Sequence, residues 1–264
     1  MAKLTPLGVW GVVKELRETA RDRDAIVVAG AAALADALRR ELERDAKPGA
    51  VRGGSLAGAA GLVYILAAEP TDEDRRMLAE AHRLRVPIVA VLADPSLDDA
   101  VPHVLATDVI RVPPGSGFPL DEIAHVLARR MKETGVTVAA RVPALRRAVC
   151  EELIASASKT NAILGVAIFV PGADLPVLTL NQLRLVLRIG LAHGYEIERE
   201  RVPEVLAVLG SGLGFRAVAR RLVATVPVAG WAVKGAVAYA GTRAIGEAAI
   251  RYFEARARDE RAAA

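Results

Sequence analysis

The glycine that ends the first apolar run lies where a phosphate-binding loop would begin. Residues 24–30, DAIVVAG, have the composition of a buried strand, and Gly30 is followed by Ala-Ala-Ala-Leu-Ala-Asp-Ala. A P-loop needs a second glycine, a lysine that reaches the phosphates and a Ser or Thr hydroxyl that holds Mg²⁺, and none of the three follows Gly30. Because a helix N-terminus alone is a weak anion site, the sequence predicts no working P-loop here.

Two further glycine clusters, residues 53–58 and 210–214, resemble cofactor loops only in composition. A dinucleotide loop must follow a strand and open a helix within a βαβ unit. No clear strand precedes the first cluster, and the second lies between predicted helices. We interpret both clusters as turns and expect no cofactor.

Residues with metal-binding or nucleophilic chemistry are few and scattered. The sequence has no HExxH, no paired cysteines, no Gly-x-Ser-x-Gly and no aspartate-rich metal loop. Its histidines, His82, His103, His125 and His193, lie on separate predicted elements without spaced partners, so we interpret each as a helix-surface or cap residue. The single cysteine, Cys150, is interpreted as a small buried hydrophobe in a reducing compartment. We therefore expect no metal and no catalytic residue.

The best candidate contact residues lie in the second half of the chain. Asn181, Arg184 and Arg188 fall on one stripe of a predicted helix, which is typical of a solvated face but also suits an anionic ligand. Lys234 lies near the start of a later helix, away from the face that carries the other charges of that helix. Its amine either snorkels to solvent or meets a buried carboxylate or a lipid phosphate. These four residues are the candidate contacts to a partner or a lipid.

Apolar runs of strand length alternate with helical patterns through the first half. Thr71, with Asp74 three residues on, has the spacing of a capping box and marks one helix start. Strands are predicted at 24–30, 62–67, 86–92 and 108–112, and helices at 7–22, 34–43, 71–85, 97–105 (weak) and 120–132. Continuous apolar strands that alternate with helices predict an α/β fold with a parallel sheet covered on both faces.

Only helices are predicted beyond a boundary at residues 133–141. They span 143–170, 180–193, 202–209, 215–225 and 226–253. The last contains alanine at every fourth position from Ala232 to Ala248, a ladder that slants by about 40° per step. We expect this helix to be enclosed by other helices or by lipid up to Thr242 and amphipathic from Arg243. The predicted division is an N-terminal helix (1–23), an α/β domain (24–140), an all-α helical domain (141–255) and a frayed tail (256–264).

Charge and hydropathy differ between the halves of this 264-residue chain. Residues 1–140 carry 18 basic and 20 acidic side chains, whereas residues 141–264 carry 17 and 11, a surplus of six positive charges. The N-terminus lacks the apolar core of a signal peptide. The longest uncharged runs, 161–173 and 222–233, fall short of the ~20 residues of a spanning helix. We expect a cytoplasmic protein, either free or peripheral at the inner face of the cell membrane.

Two stretches resemble known families. The segments LVYILAAEP, VPIVAVLADPS and DVIRVPPGSG, within residues 24–132, resemble an Era-like small GTPase in spacing. That family reads guanine with Asn-Lys-x-Asp, and the matching positions here are Ala93, Asp94, Pro95 and Ser96, so the resemblance implies a domain whose nucleotide motifs are degenerate. The segments PGADLPVLTLNQLRLVLRIGLAHGY, VLAVLGSGLGFRAVAR and VPVAGWAVKGAVAYAGTRAIGEAAIRYFE, within residues 145–255, resemble the YcjF-type family, domain of unknown function 697.

The YcjF-type resemblance implies a helical domain. In that family, this domain often follows an Era-like GTPase domain or occurs in membrane-associated proteins. It implies no catalytic residue. The leading hypothesis is therefore a non-catalytic pseudo-GTPase-like protein whose helical domain docks on a membrane surface or a protein partner, and a homo-oligomer is compatible with it.

Two other functions stay open. A hydrolase or nucleotide-binding protein would use the cleft at the carboxyl ends of the strands, and this alternative would gain support if Asp94 or Asp36 lay in a pocket with a basic partner. Nucleic-acid binding would rest only on the basic second half, which has no reading helix or aromatic platform, so no nucleic acid is expected.

Overall fold

The computed structural model describes residues 25–113, 115–167, 174–195 and 231–263; within these, the side chains of residues 167, 174–177, 179 and 231–234 are not described. The chain divides into two compact units between Val149 and Cys150, and each unit is considered separately below. Helices and strands are numbered in chain order among the described residues.

The first unit is built on a parallel sheet. The strands are β1 (Ala25–Gly30), β2 (Val51–Arg52), β3 (Ala59–Leu66), β4 (Ile88–Leu92) and β5 (Val109–Arg111), in the order β2-β1-β3-β4-β5, with every neighbouring pair parallel. The helices are α1 (Ala32–Glu43), α2 (Asp72–Arg83), α3 (Leu120–Met131) and α4 (Thr134–Arg141). This confirms the predicted parallel sheet with alternating helices.

Helices cover both faces of this sheet, as the continuous apolar strands predict. On one face, Leu78 of α2 belongs to the same buried cluster as Leu62 and Tyr64 of β3. On the other face α3 packs so closely that a Cβ on Gly61 would lie 2.9 Å from Leu127 Cδ2. The sheet is thus the central layer of the unit.

Local capping chemistry fixes the start of α2. The Thr71 hydroxyl accepts a hydrogen bond from the Asp74 backbone N–H at 3.2 Å, and the Asp74 carboxylate accepts one from the Thr71 N–H at 2.7 Å. The predicted capping box is therefore confirmed. Asp74 also accepts a 2.6 Å hydrogen bond from the buried Tyr64 hydroxyl, which ties α2 to the sheet.

Two predicted local features of this unit are wrong, and one strand was not predicted. Residues 97–105 are not helical, because Asp94 and Asp98 accept backbone hydrogen bonds from Ser96 and Ala100 two residues on and hold the chain in turns. The strand β2 was missed, since two residues show no periodicity. The range 133–141, predicted as a boundary, is largely the helix α4.

The second unit contains three long helices among its described residues. They are α5 (Arg146–Ala167, whose first four residues belong to the first unit), α6 (Asp174–Ala192) and α7 (Trp231–Ala263). Helix α6 begins before the predicted start at residue 180 and ends near Gly194, which has a φ of 85°. A Cβ on Gly246 would lie 2.4 Å from Ile154 Cγ1 and 3.2 Å from Leu185 Cδ2, so α7 contacts both α5 and α6 closely at this point.

The alanine ladder is not the buried face of α7. Ala236, Ala240 and Ala244 are exposed and Ala248 is buried, whereas the residues that face the other helices are Gly235, Thr242, Gly246, Ala249 and Phe253. Enclosure of this helix by other helices up to Thr242 is therefore wrong at Ala236 and Ala240, whereas enclosure by lipid stays a prediction. The slant of the ladder explains this, because each four-residue step turns the next alanine by about 40° and brings one onto the buried face only at Ala248.

Several predictions fall on residues outside the described ranges. They are the helix at 7–22, the helices at 202–209 and 215–225, and the glycine cluster at 210–214. Among the helices that are described, none combines the length and the apolarity needed to cross a membrane.

Candidate functional site

The carboxyl edge of the sheet is the first place to look for a ligand, since open α/β sheets bind ligands there and the order 2-1-3-4-5 has its switch point between β1 and β3. The protein's own backbone fills the space at this switch point. The Ala31 N–H donates to Ile65 O at 2.9 Å, and a Cβ on Gly30 would lie only 2.1 Å from the same oxygen. Gly30 therefore allows the chain after β1 to pass against β3.

The loop after β4 uses its polar groups internally. Asp94 accepts hydrogen bonds from the Ser96 N–H at 2.8 Å and from its hydroxyl at 2.7 Å, and these bonds lower the pKa of Asp94. At the end of β5, the Arg111 guanidinium binds Leu97 O and the Asp99 carboxylate, both at 2.7 Å. These contacts stabilise the turn that follows β4.

Neither aspartate required by the hydrolase alternative lies in a catalytic arrangement. Asp94 is the turn-stabilising residue just described. Asp36 pairs with Arg39 at 2.9 Å along the surface of α1, where both side chains are well exposed. Neither Asp94 nor Asp36 therefore supports the hydrolase alternative at the carboxyl edge of the sheet.

The glycine cluster at residues 53–58 follows the short strand β2, so the statement that no strand precedes it is corrected. It does not open a helix, because β3 begins at Ala59. The Arg52 guanidinium donates to the carbonyls of Ser55 and Ala57 inside the cluster. The cluster is a turn, as the sequence analysis interpreted it.

A polar network lies inside the helical unit and includes one candidate contact residue. Asn161 of α5 donates from Nδ2 to Thr242 Oγ1 at 2.8 Å, and Asn181 of α6 donates from Nδ2 to Asn161 Oδ1 at 3.0 Å. The Thr242 hydroxyl in turn donates to Ala238 O at 2.8 Å within α7. Asn161 and Thr242 are completely buried. Asn181 is therefore part of an interhelical network and not of a fully solvated face.

The other three candidates take different places. Arg184 and Arg188 are half-buried on α6, one and two turns after Asn181, and the Nε atom of each is shielded from solvent. Lys234 lies within the helical backbone of α7, but its side chain is outside the described part. The structure brings Asn181 together with Asn161 and Thr242, two residues that sequence reasoning did not identify.

The histidines are not all isolated, which corrects the sequence interpretation. His82 on α2 and His103 on the loop between β4 and β5 stack with ring centroids 4.9 Å apart. His193 is buried, donates from Nδ1 to Ile189 O at 2.8 Å, and stacks on Phe253. His125 is an exposed helix residue, as expected.

The stacked histidines border two adjoining concave surfaces at the amino ends of β4 and β5. One is a cleft of about 320 Å³ whose lining includes His82, Arg85, Ile88, His103, Leu105 and Arg130. The other is a shallower surface of about 570 Å³ lined by Asp72, Arg75, Arg76, Ala79 and His103. We call the two together the α2 groove. Sequence reasoning missed it because its residues come from four separate segments.

A buried carboxylate forms one end of the α2 groove. Asp108 is 4% exposed and lies 2.7 Å from Arg130 Nε and 3.4 Å from Arg129 Nη2. The two arginines neutralise this carboxylate and hold the start of β5 against α3. Asp108 therefore has partners already and is not a free acid.

Comparison with known proteins adds no assignment. No family model matches the chain, and no curated protein matches it significantly. Within the described residues, no group of three or more His, Cys, Asp or Glu side chains could hold a metal ion.

Proposed function

We propose that this protein is a non-catalytic binding protein, in which a GTPase-like α/β domain without nucleotide chemistry accompanies a helical domain that docks on a membrane surface or a protein partner. The resemblance to Era-like GTPases and to the YcjF-type family motivates this proposal. It would operate in the cytoplasm or at the inner face of the cell membrane.

The observation that carries the proposal is that polar groups at the carboxyl edge of the sheet already bond to other groups of the same edge. Ile65 O already binds the Ala31 N–H, and Asp94 and Arg111 already stabilise their own loop. The segment after Gly30 also lacks the lysine and hydroxyl that contact phosphate and Mg²⁺. A nucleotide at this edge would find neither a phosphate cradle nor a base-reading carboxylate.

The helical unit supports the docking part of the proposal through its exposed apolar residues and its charge. Ile163 on α5 is 68% exposed, and three alanines on α7 are exposed as well. Residues 141–264 also carry a surplus of six positive charges. Exposed apolar groups combined with positive charge favour an anionic partner surface, either lipid or protein.

Nucleotide titration tests the first part. Fluorescent GTP and GDP analogues with Mg²⁺ are added to the full chain, and we expect no saturable binding below about 1 mM. Micromolar affinity for either nucleotide would contradict the pseudo-GTPase proposal and favour the nucleotide-binding alternative.

Vesicle sedimentation tests the second part and separates lipid from protein partners. The full chain is mixed with vesicles of phosphatidylcholine and phosphatidylglycerol at low salt. For a membrane surface we expect co-sedimentation that Ile163→Ser reduces several-fold and that Leu105→Ser, at the exposed leucine of the other unit, leaves unchanged. Absence of co-sedimentation would exclude the membrane surface and leave the protein partner.

A further inference from the structure

We propose that the α2 groove binds an extended acidic segment of a partner protein. This inference concerns the α/β unit and does not rest on the docking of the helical domain. Its basis is the charge, the shape and the apolar floor of the groove.

The charge of the groove is positive although its unit is neutral. Residues 25–149 contain sixteen basic and sixteen acidic side chains. Four arginines and two aspartates line the groove, which gives an excess of two positive charges. These residues are Arg75, Arg76, Arg85, Arg130, Asp72 and Asp108. A local excess in a neutral unit attracts an anionic ligand specifically to this surface.

The two aspartates are already included in this count, and each lies beside an arginine of the groove. Asp108 is buried between Arg129 and Arg130, and Asp72 lies 3.4 Å from Arg75 Nη1. Arg76 donates from Nε to Asp72 O at 3.0 Å. Since each guanidinium has five N–H donors, Arg75 and Arg76 keep several for an incoming carboxylate.

The length of the groove favours a peptide over a small anion. Asp72, Arg75, Ala79 and His82 recur at three- and four-residue intervals, so the groove follows one face of α2. The 12-residue helix is about 18 Å long, which matches about five residues of extended chain. Both concave surfaces are shallow and open, as expected for a peptide that lies along a surface rather than for an enclosed metabolite.

An apolar floor at one end gives the groove a second recognition element. Leu105 is 59% exposed, and Val86 and Ile88 line the same cleft. An apolar side chain of the ligand would cover Leu105 while flanking carboxylates meet the arginines. The partner segment is therefore expected to be acidic with one apolar residue among its carboxylates.

The probe for this proposal is a fluorescein-labelled pentapeptide with four glutamates around a central leucine. Fluorescence anisotropy with the full chain at 50 mM NaCl should give saturable binding, weakened by 200 mM NaCl. A peptide with lysine in place of glutamate should not bind. No binding of the glutamate peptide below about 1 mM, or equal binding of the lysine peptide, would overturn the proposal.

Matched variants locate the site. The double variant Arg75→Glu/Arg76→Glu should weaken binding at least about tenfold, whereas Arg40→Glu/Arg44→Glu, with the same change of charge on exposed positions of α1 and the residue after it, should stay within about twofold. Leu105→Ser should weaken binding about threefold.

His103→Asn provides a test that does not depend on charge reversal. His103 has a φ of 63°, which asparagine tolerates, so the loop keeps its conformation while the ring that borders both concave surfaces is lost. We expect weaker binding with an unchanged melting temperature. Two outcomes would reject the proposal. In the first, Arg75→Glu/Arg76→Glu and Arg40→Glu/Arg44→Glu weaken peptide binding equally. In the second, the peptide does not bind, while anionic vesicles bind the parent protein and not the Arg75→Glu/Arg76→Glu variant.

Discussion

Asn161 and Thr242, 81 positions apart in the chain, share a 2.8 Å hydrogen bond between Nδ2 and Oγ1 at a point where both side chains are completely buried. Asn161 also accepts from Asn181, so its amide links three helices. A buried amide that loses a partner is left unsatisfied, which is costly, so this network favours one alignment of the helices over others.

The first prediction concerns this network. Asn161→Ala should lower the free energy of unfolding by about 2 kcal/mol, because it leaves the Asn181 amide without its acceptor and Thr242 without its donor. Urea denaturation measures the effect. Thr160→Ala, at an exposed neighbour, should change stability by less than about 0.5 kcal/mol, and equal effects of the two variants would contradict the role of the network.

The second prediction concerns the close approach at Gly246. Gly246→Ala should destabilise by about 2 kcal/mol, because the new Cβ would lie 2.4 Å from Ile154 Cγ1. Gly241→Ala, on the same helix with no atom within 4 Å, should stabilise by about 0.5–1 kcal/mol through helix propensity. Thermal melts followed by circular dichroism would show opposite signs, and the same sign for both would contradict this packing.

The third prediction separates a structural glycine from a phosphate-loop glycine. Gly30→Ala should destabilise by at least about 3 kcal/mol, because it combines a φ of 102° with a Cβ 2.1 Å from Ile65 O. Gly54→Ala, with a φ of 81° but open space, should cost only about 1 kcal/mol. If chemical denaturation shows that the two variants lose similar amounts of unfolding free energy, the close approach of β1 and β3 is not what makes Gly30 necessary.

The fourth prediction is a pH dependence. Burial opposes ionisation of Asp74, but hydrogen bonds from Tyr64 and Thr71 outweigh it and hold the pKa of Asp74 below its usual value. A lowered folded-state pKa adds stability at pH values above the unfolded pKa of about 3.9, and this stability is lost as the pH falls through the lower folded pKa. Burial and the Asp74 carboxylate raise the pKa of Tyr64, so its hydroxyl remains a donor throughout.

Tyr64→Phe tests this dependence. The variant should be about 1 kcal/mol less stable than the parent protein at pH 7, and the difference should shrink as the pH falls from 4 to 2. Urea denaturation at pH 7, 5, 4, 3 and 2 measures both chains. A difference that is constant across this range would mean that the bond does not depend on the charge of Asp74.

Local chemistry in the sequence predicted much of the first unit. Thr71 and Asp74 are three residues apart, and that spacing alone specifies the capping box and the start of α2. The apolar runs predicted four of the five strands. The order of the strands was not predictable, since it depends on which runs pair and not on their composition.

The sites could be predicted less well, because they depend on contacts between distant segments. His82 and His103 are 21 positions apart and have no motif spacing, yet the turns between them bring the rings together. Asn161 and Thr242 are farther apart still. In α7 the repeated alanines gave a clear pattern, but the buried stripe includes Gly235, Thr242 and Gly246. The two glycines lie there because the neighbouring helix leaves no room for a Cβ.

The spacing of the two tight glycines of α7 has a consequence for insertions and deletions. A Cβ on Gly235 would lie 2.8 Å from Val166 Cγ2, and one on Gly246 would lie 2.4 Å from Ile154 Cγ1. Three helical turns separate these positions, so both face α5. Loss or gain of one residue between them would rotate one glycine by about 100° and bring a side chain into its place. Residues 236–245 should therefore tolerate substitution at Ala236, Ala240 and Ala244 but not a change in length.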